Sequence, residues 1–177
     1  MLLDALVSFV PPGQPLSLIT GASTSVYSNI FDSLGLGVGQ APQSIIGTRT
    51  VFGQDNGIGV KKPLLDCVVG TAFVGASANL NVQFQAAVDN GSYQPGTWIT
   101  LLETGTIAVG NLTAGQLIAR FDWPPAFPQS TIPRFYRLAF AVTGGSGFTA
   151  GTIAWAAVTM DRDDQANKYS AKNYAVA

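Results

Sequence analysis

Few residues in this chain can do chemistry, and their spacing does not favour catalysis. Cys67 lies in the apolar stretch Leu64-Leu65-Asp66-Cys67-Val68-Val69, and the chain has no His to activate it. A buried free cysteine behaves as a small hydrophobe, and Cys67 is read that way. Glycosidase-type acid/base work needs two carboxyl groups facing one another. Glu103 is the single Glu, the Asp residues are scattered, and spacing places no two of them on one face. The lack of His excludes His-based triads and metal triads, and removes the commonest general base near neutral pH. One Cys excludes a disulfide framework and a thiolate zinc site.

Other motifs also favour structural readings. Gly35-Leu36-Gly37-Val38-Gly39 resembles a phosphate-cradling loop but lacks the dinucleotide spacing, a preceding strand and a following helix. It is read as an extended loop. Asp161-Arg162-Asp163-Asp164 offers oxygens for a hard cation but lacks the loop glycine and distal Glu of a helix-loop-helix calcium site. It is read as a charge-balanced exit from the last strand. Asn90-Gly91-Ser92 and Asn111-Leu112-Thr113 match a glycosylation triplet and are read as turns. Trp98, Trp123 and Trp155, with Tyr93 and Phe127, offer an aromatic platform for sugars. Trp123 and Trp155 fall on the apolar sides of their strands, which assigns them to the core. Arg120, Arg134 and Arg137 are expected on one sheet face, where they would bind carboxylates of a partner, or Asp122. No cofactor, metal or catalytic activity is expected.

Composition narrows the class further. Nine Lys+Arg against 10 Asp+Glu give a formal charge of −1, and charged residues are 11% of the 177. A typical soluble domain carries roughly 25%. Near-zero charge argues against binding nucleic acid through phosphates. The length fits one domain, alone or with an arm. The apolar opening Met1–Val10 has no Lys or Arg before it, and the first basic residue is Arg49, so no signal peptide is expected. The longest apolar runs fall far short of the roughly 20 residues that cross a bilayer.

The elements that would position these residues read as strands. In Asn79–Val88, Leu80, Val82 and Phe84 alternate with amides, and Asn90-Gly91 follows as a type I′ hairpin signal. Further strands are expected at Leu64–Phe73, Trp98–Glu103, Ile107–Val109, Leu117–Trp123, Phe135–Val142 and Thr152–Met160. Leu117, Ala119, Phe121 and Trp123 should share one face, and so should Ile153, Trp155 and Ala157. Leu112-Thr113-Ala114-Gly115 is echoed by Phe148-Thr149-Ala150-Gly151, which suggests equivalent turns. Pro15–Thr20 and Ile45–Phe52 are candidate strands in an otherwise Gly- and Pro-rich stretch. The expectation is an all-β, antiparallel sandwich or barrel over 64–160. Residues 1–63 form an arm and extension, partly strands, and 161–177 a charged tail. Pro11-Pro12 and the glycines beyond favour an arm that reaches a neighbouring subunit over one that folds back.

Two stretches resemble the capsid cement (decoration) proteins of tailed bacteriophages. One is the opening Met1-Leu2-Leu3-Asp4-Ala5-Leu6-Val7-Ser8-Phe9. The other is Arg134-Phe135-Tyr136-Arg137-Leu138-Ala139-Phe140-Ala141-Val142, then a glycine loop, Thr149-Ala150-Gly151 and a strand ending in Met160-Asp161. The resemblance covers residues 1–9 and about 64–170. It implies a jelly-roll-like β-sandwich with an extended N-terminal arm and a C-terminal tail: a non-enzymatic virion protein, made in the bacterial host cytoplasm, that reinforces the exterior of an icosahedral capsid. The implied partners are the major capsid protein and further copies of this chain in a dimer or trimer, with no nucleic acid and no membrane. Candidate subunit or capsid contacts are Leu2, Leu3, Leu6, Phe9, Arg134, Arg137, Tyr169 and Tyr174. The rival reading is a carbohydrate-binding or adhesive β-sandwich of a virion surface or tail. A solvent-facing row of tryptophans would favour it, and buried tryptophans would favour cement.

Overall fold

Alternation of apolar and amide side chains governs how this chain folds. The computed structural model describes residues 2–21, 23–33, 63–123 and 133–160. In β6 (Asn79–Asp89), Leu80, Val82 and Phe84 are fully buried, while Asn79, Asn81, Gln83 and Gln85 stand on the opposite face. In β10 (Phe135–Thr143), Tyr136, Leu138, Phe140 and Val142 point inward in the same way. The two strands pair antiparallel from Phe135↔Ala87 to Thr143↔Asn79 and form the centre of one sheet. On one side β10 also takes β3 (Ser25–Tyr27) and β4 (Phe31–Asp32). On the other, β6 takes β7 (Pro95–Glu103) and β8 (Ile107–Ala108).

The second sheet runs in the order β1 (Leu2–Val10), β11 (Thr152–Met160), β5 (Leu64–Val69), β9 (Leu117–Asp122), with β2 (Leu16–Ser17) also on β11. All ladders are antiparallel, and the two sheets pack as an all-β sandwich. Phe84 sits at the centre of the aromatic core. Its ring centroid lies 5.7 Å from Trp123, 5.9 Å from Tyr136, 6.0 Å from Phe9 and 6.1 Å from Phe121.

The expected boundary at residue 63 does not separate sandwich from arm. Strands β1 to β4 all come from the first 32 residues and join both sheets. The N-terminal segment folds back on its own sandwich: Phe9 and Val10 are 1% and 2% exposed, and Asn29 N–H donates to Phe9 O at 2.9 Å. Strand β1 pairs with β11 on the side away from β5. The Ile45–Phe52 strand, the Gly35–Gly39 loop, Phe127 and the 161–177 tail with its acidic motif lie outside the described residues.

β-bulges account for the faces that alternation assigned wrongly. An extra residue in one strand inverts the facing of everything beyond it. In β11 the pairing steps from Ile153↔Val69 to Trp155↔Val68, so Ile153, Ala156 and Val158 join the cluster between the sheets, while Trp155 is half-buried and Ala157, though buried, lies outside that cluster. In β9 the shift between Cys67 and Val68 leaves Leu117 38% exposed. The Asn90 hairpin is present but wider than a two-residue type I′ turn. Gly91 and Tyr93 have positive φ, Asp89 Oδ1 accepts from both of their N–H groups, and Asn90 N–H closes the loop on Gln94 O. The echoed tetrapeptides are structurally parallel. Leu112 and Phe148 are both buried, and the two segments lead into the strands on either side of β5. Gly151, at φ 137°, is fixed by close approach, because a Cβ there would enter the Phe73 ring.

Tyr136 ties the core to a pH dependence. Its ring is 5% exposed and its hydroxyl donates to Pro133 O at 3.2 Å. Burial pushes its pKa from 10.0 up to about 12. The folded state therefore favours the protonated phenol, so this stabilisation is complete below pH about 10 and is lost as pH rises toward about 12. Thermal midpoints should fall across that window, and Tyr136→Phe should flatten the decline. An unchanged slope in the variant would assign the decline to other groups.

Candidate functional site

The outer face of the β3-β10-β6-β7 sheet carries the most distinctive side-chain arrangement. Its central row runs Arg137↔Gln85↔Thr100 across β10, β6 and β7. The Arg137 guanidinium lies between two rings, 3.8 Å from the Tyr27 centroid and 4.1 Å from that of Trp98. Its Nε–H donates to Gln85 Oε1 at 2.9 Å. Desolvation between the rings lowers the Arg137 pKa, with Tyr27 opposing that shift. An arginine shifted this way remains a cation at neutral pH. Cation–π contacts at exposed sites contribute about 0.5–1 kcal/mol each, so the stack holds its own geometry. Ala87 and Ala139, in the same sheet, are each buried at 1% exposed. Around the stack stand Gln83, Asn81 and Glu103, with Asn81 Nδ2 donating to Glu103 Oε2 at 2.8 Å.

Arg134 has a different role from the one spacing suggested. Its Nε and Nη2 form a two-pronged pair with Asp32, at 2.8 and 2.7 Å. Its Nη1 bonds Asp89, and its guanidinium also lies over Phe135 and Tyr93. The hydrogen bond to Asp32, reinforced by Asp89, raises its pKa. Within the chain Arg134 clamps β4 and β6 to the start of β10. The same cluster brings Asp32 and Asp89 together, a carboxylate pair that spacing did not show. Both bond the guanidinium, which suits a clamp between strands and not proton transfer.

The three arginines do not share a face. Arg120 belongs to the other sheet, where its Nε and Nη2 donate to Asp66 at 2.7 and 2.9 Å. Phe9, also a candidate contact, is a core residue, 1% exposed, with its ring packed against Phe31, Phe84 and Trp123. Leu2 and Leu3 lie in β1 opposite Met160 and Thr159, and Leu6 lies between them and Phe9 in the same strand. Tyr169 and Tyr174 lie outside the described residues. Arg137 stands on an outward face of the sandwich.

The tryptophans form no row. Trp123 is buried in the core, whereas Trp98 and Trp155 are half-buried on strands of different sheets. Cys67 is 1% exposed, and burial pushes its thiol pKa up, away from thiolate chemistry. Among the described residues, no three His, Cys, Asp or Glu side chains converge as a metal site. Among them, too, no helix is long and apolar enough to cross a membrane. Sequence reasoning missed Tyr27, Gln85 and Asp32. The alternation in Ser25-Val26-Tyr27 was the available signal, too short to stand out from the loop around it.

No protein-family model matches this chain, and no curated protein matches it.

Proposed function

We propose that this chain is a structural virion protein: a capsid decoration subunit that binds the outer surface of a phage shell and stabilises it without catalysing a reaction. The observation that carries the reading is how charge is used. Arg120 and Arg134 are committed to Asp66, Asp32 and Asp89 within the sandwich. What faces outward on the β10-centred sheet is a stack of Tyr27, Arg137 and Trp98 among amides and Glu103. Interface cores are depleted in charged residues and enriched in Tyr, Trp and Arg, which fits this face to a lasting contact with another protein. Exposed Ile19, Ile30, Val74 and Tyr93 add apolar surface that subunit contact would cover.

The partners under this reading are the major capsid protein and further copies of the chain, on the exterior of the virion. Contacts of standard size bury about 1,600 Å², and many copies on one shell add avidity to a modest single-site affinity. The test is co-sedimentation with heads purified from the virus that encodes the chain. Stoichiometric binding is expected, and Arg137→Ala should weaken it tenfold or more, about 1.4 kcal/mol or above. Heads made without the protein should assemble with normal geometry and lose DNA at lower temperature. Absence of binding, or failure of heads to assemble without it, would overturn the proposal.

A further inference from the structure

We infer that the cleft between the β1–β2 turn and β3 binds a single neutral sugar unit. The inference rests on the cleft alone and does not depend on shell binding. The cleft is open to solvent on one side, has a volume of about 200 Å³ and is lined in part by Pro11, Gln14, Pro15, Tyr27 and Asn29. Drug-sized ligand pockets run from about 300 to 1,000 Å³, so this one suits one ring with its substituents.

Its walls are built before any ligand arrives. Gln14 N–H donates to Pro11 O at 3.1 Å and closes the turn, and the two prolines have fixed φ. Asn29 N–H donates to Phe9 O at 2.9 Å and ties the turn side to the β3 side. Ser28 Oγ accepts from Leu138 N–H and donates to Asn29 O, so it serves the wall and not the ligand. Such preorganisation lowers the entropy that binding must overcome.

The chemistry of the lining selects the ligand class. None of the lining residues is charged, which disfavours phosphates, carboxylates and amines. The side-chain amides of Gln14 and Asn29 are exposed and make no side-chain hydrogen bond among the described residues. Each amide offers both a donor and an acceptor, the complement of neighbouring hydroxyls. Tyr27 is 48% exposed and is held by the Arg137 guanidinium, which can occupy only one face of its ring. Its remaining surface supplies an aromatic wall for the C–H face of a pyranose, whose slightly positive hydrogens suit the negative ring face. A proline-rich peptide would also meet Tyr27 and the prolines. At about 3.1 Å per residue, it would need a longer groove than this volume provides.

The test uses the isotope-labelled full chain, titrated by NMR with glucose, galactose, mannose and N-acetylglucosamine, and separately with a proline-rich peptide. Saturable shifts at the Tyr27 and Asn29 backbone amides and the Gln14 and Asn29 side-chain amides are expected with at least one sugar. The expected Kd is on the order of 1 mM. Tyr27→Ala should weaken that binding tenfold or more, and Gln14→Ala should weaken it measurably. If Tyr27→Ala disturbs the fold, Gln14→Ala on the exposed turn carries the comparison. No saturable shift with any of the four sugars, shifts that both variants leave unchanged, or a response to the peptide alone would each overturn the inference. No head is present in this assay, so its failure leaves the shell-binding proposal standing.

Discussion

Deleting residues 1–10 should abolish cooperative unfolding, because the segment is a strand of the sandwich and not a detachable arm. Strand β1 lies along β11 from Leu2↔Met160 to Val10↔Ala156. Removing it would bare the β11 edge and take Phe9 and Val10 out of the core. Phe9 is 1% exposed, with ring contacts at 6.3 Å to Phe31 and 6.0 Å to both Phe84 and Trp123. Truncating a core Phe to Ala costs about 3–5 kcal/mol. A domain is typically stable by only about 5–15 kcal/mol, so Phe9→Ala alone should remove a large part of the total. Urea titration followed by the fluorescence of buried Trp123 should show a much lower midpoint for Phe9→Ala. The deletion should show no sharp transition. A deleted chain that unfolds at the wild-type midpoint would return the segment to the status of a free arm.

The contrast between β1 and β6 shows what the sequence makes legible. Strand β6 alternates from Asn79 to Ala86 because one face meets the core and the other carries amides, so its facing over that stretch is written in its residues. Strand β1 is apolar on nearly every residue and its ladder shifts twice, between Leu3 and Ser8 and between Ser8 and Val10. Alternation cannot assign faces across such shifts, and a continuous apolar run reads equally well as an arm. The same failure misplaced Trp155 and Leu117 beyond their bulges. Strands of two or three residues, such as β3 and β4, are too short to carry a period at all. That cost the site most of its partners. Arg137 was recognisable as an outward-facing cation, but Tyr27, Gln85 and Trp98 reach it from three other strands. Arg134 likewise meets Asp32 and Asp89 only because β4 and β6 flank β10. Long-range pairing of this kind is set by topology, which local residue spacing does not record.

Breaking the ion pair between Arg120 and Asp66 should cost more than removing both partners together. Asp66 is 1% exposed although it lies on the outer side of β5, with Leu65 and Cys67 turned into the core. Its carboxylate accepts from Arg120 Nε and Nη2 and from Thr159 Oγ1, the last at 2.9 Å. The Thr159 hydroxyl also lies 3.1 Å from Leu64 O, and it has a single proton to give. Arg120→Met would therefore leave a buried carboxylate with at most one hydroxyl donor. Orphaning a buried charge costs about 3–5 kcal/mol. The Arg120 side chain is 54% exposed, so water can enter as it leaves, which places the expected loss near the lower end of that range. Asp66→Leu removes the orphan as well as the pair. The double variant Asp66→Leu/Arg120→Met should lie closer to wild type than Arg120→Met does, because apolar groups of similar volume often replace a buried pair at little cost. The four chains of this cycle, unfolded in urea under one condition, give the coupling directly. A loss of only about 0–1 kcal/mol for Arg120→Met would make the contact an ordinary surface pair. A double variant as unstable as the sum of the singles would mean that the two side chains support the β5–β9 ladder independently.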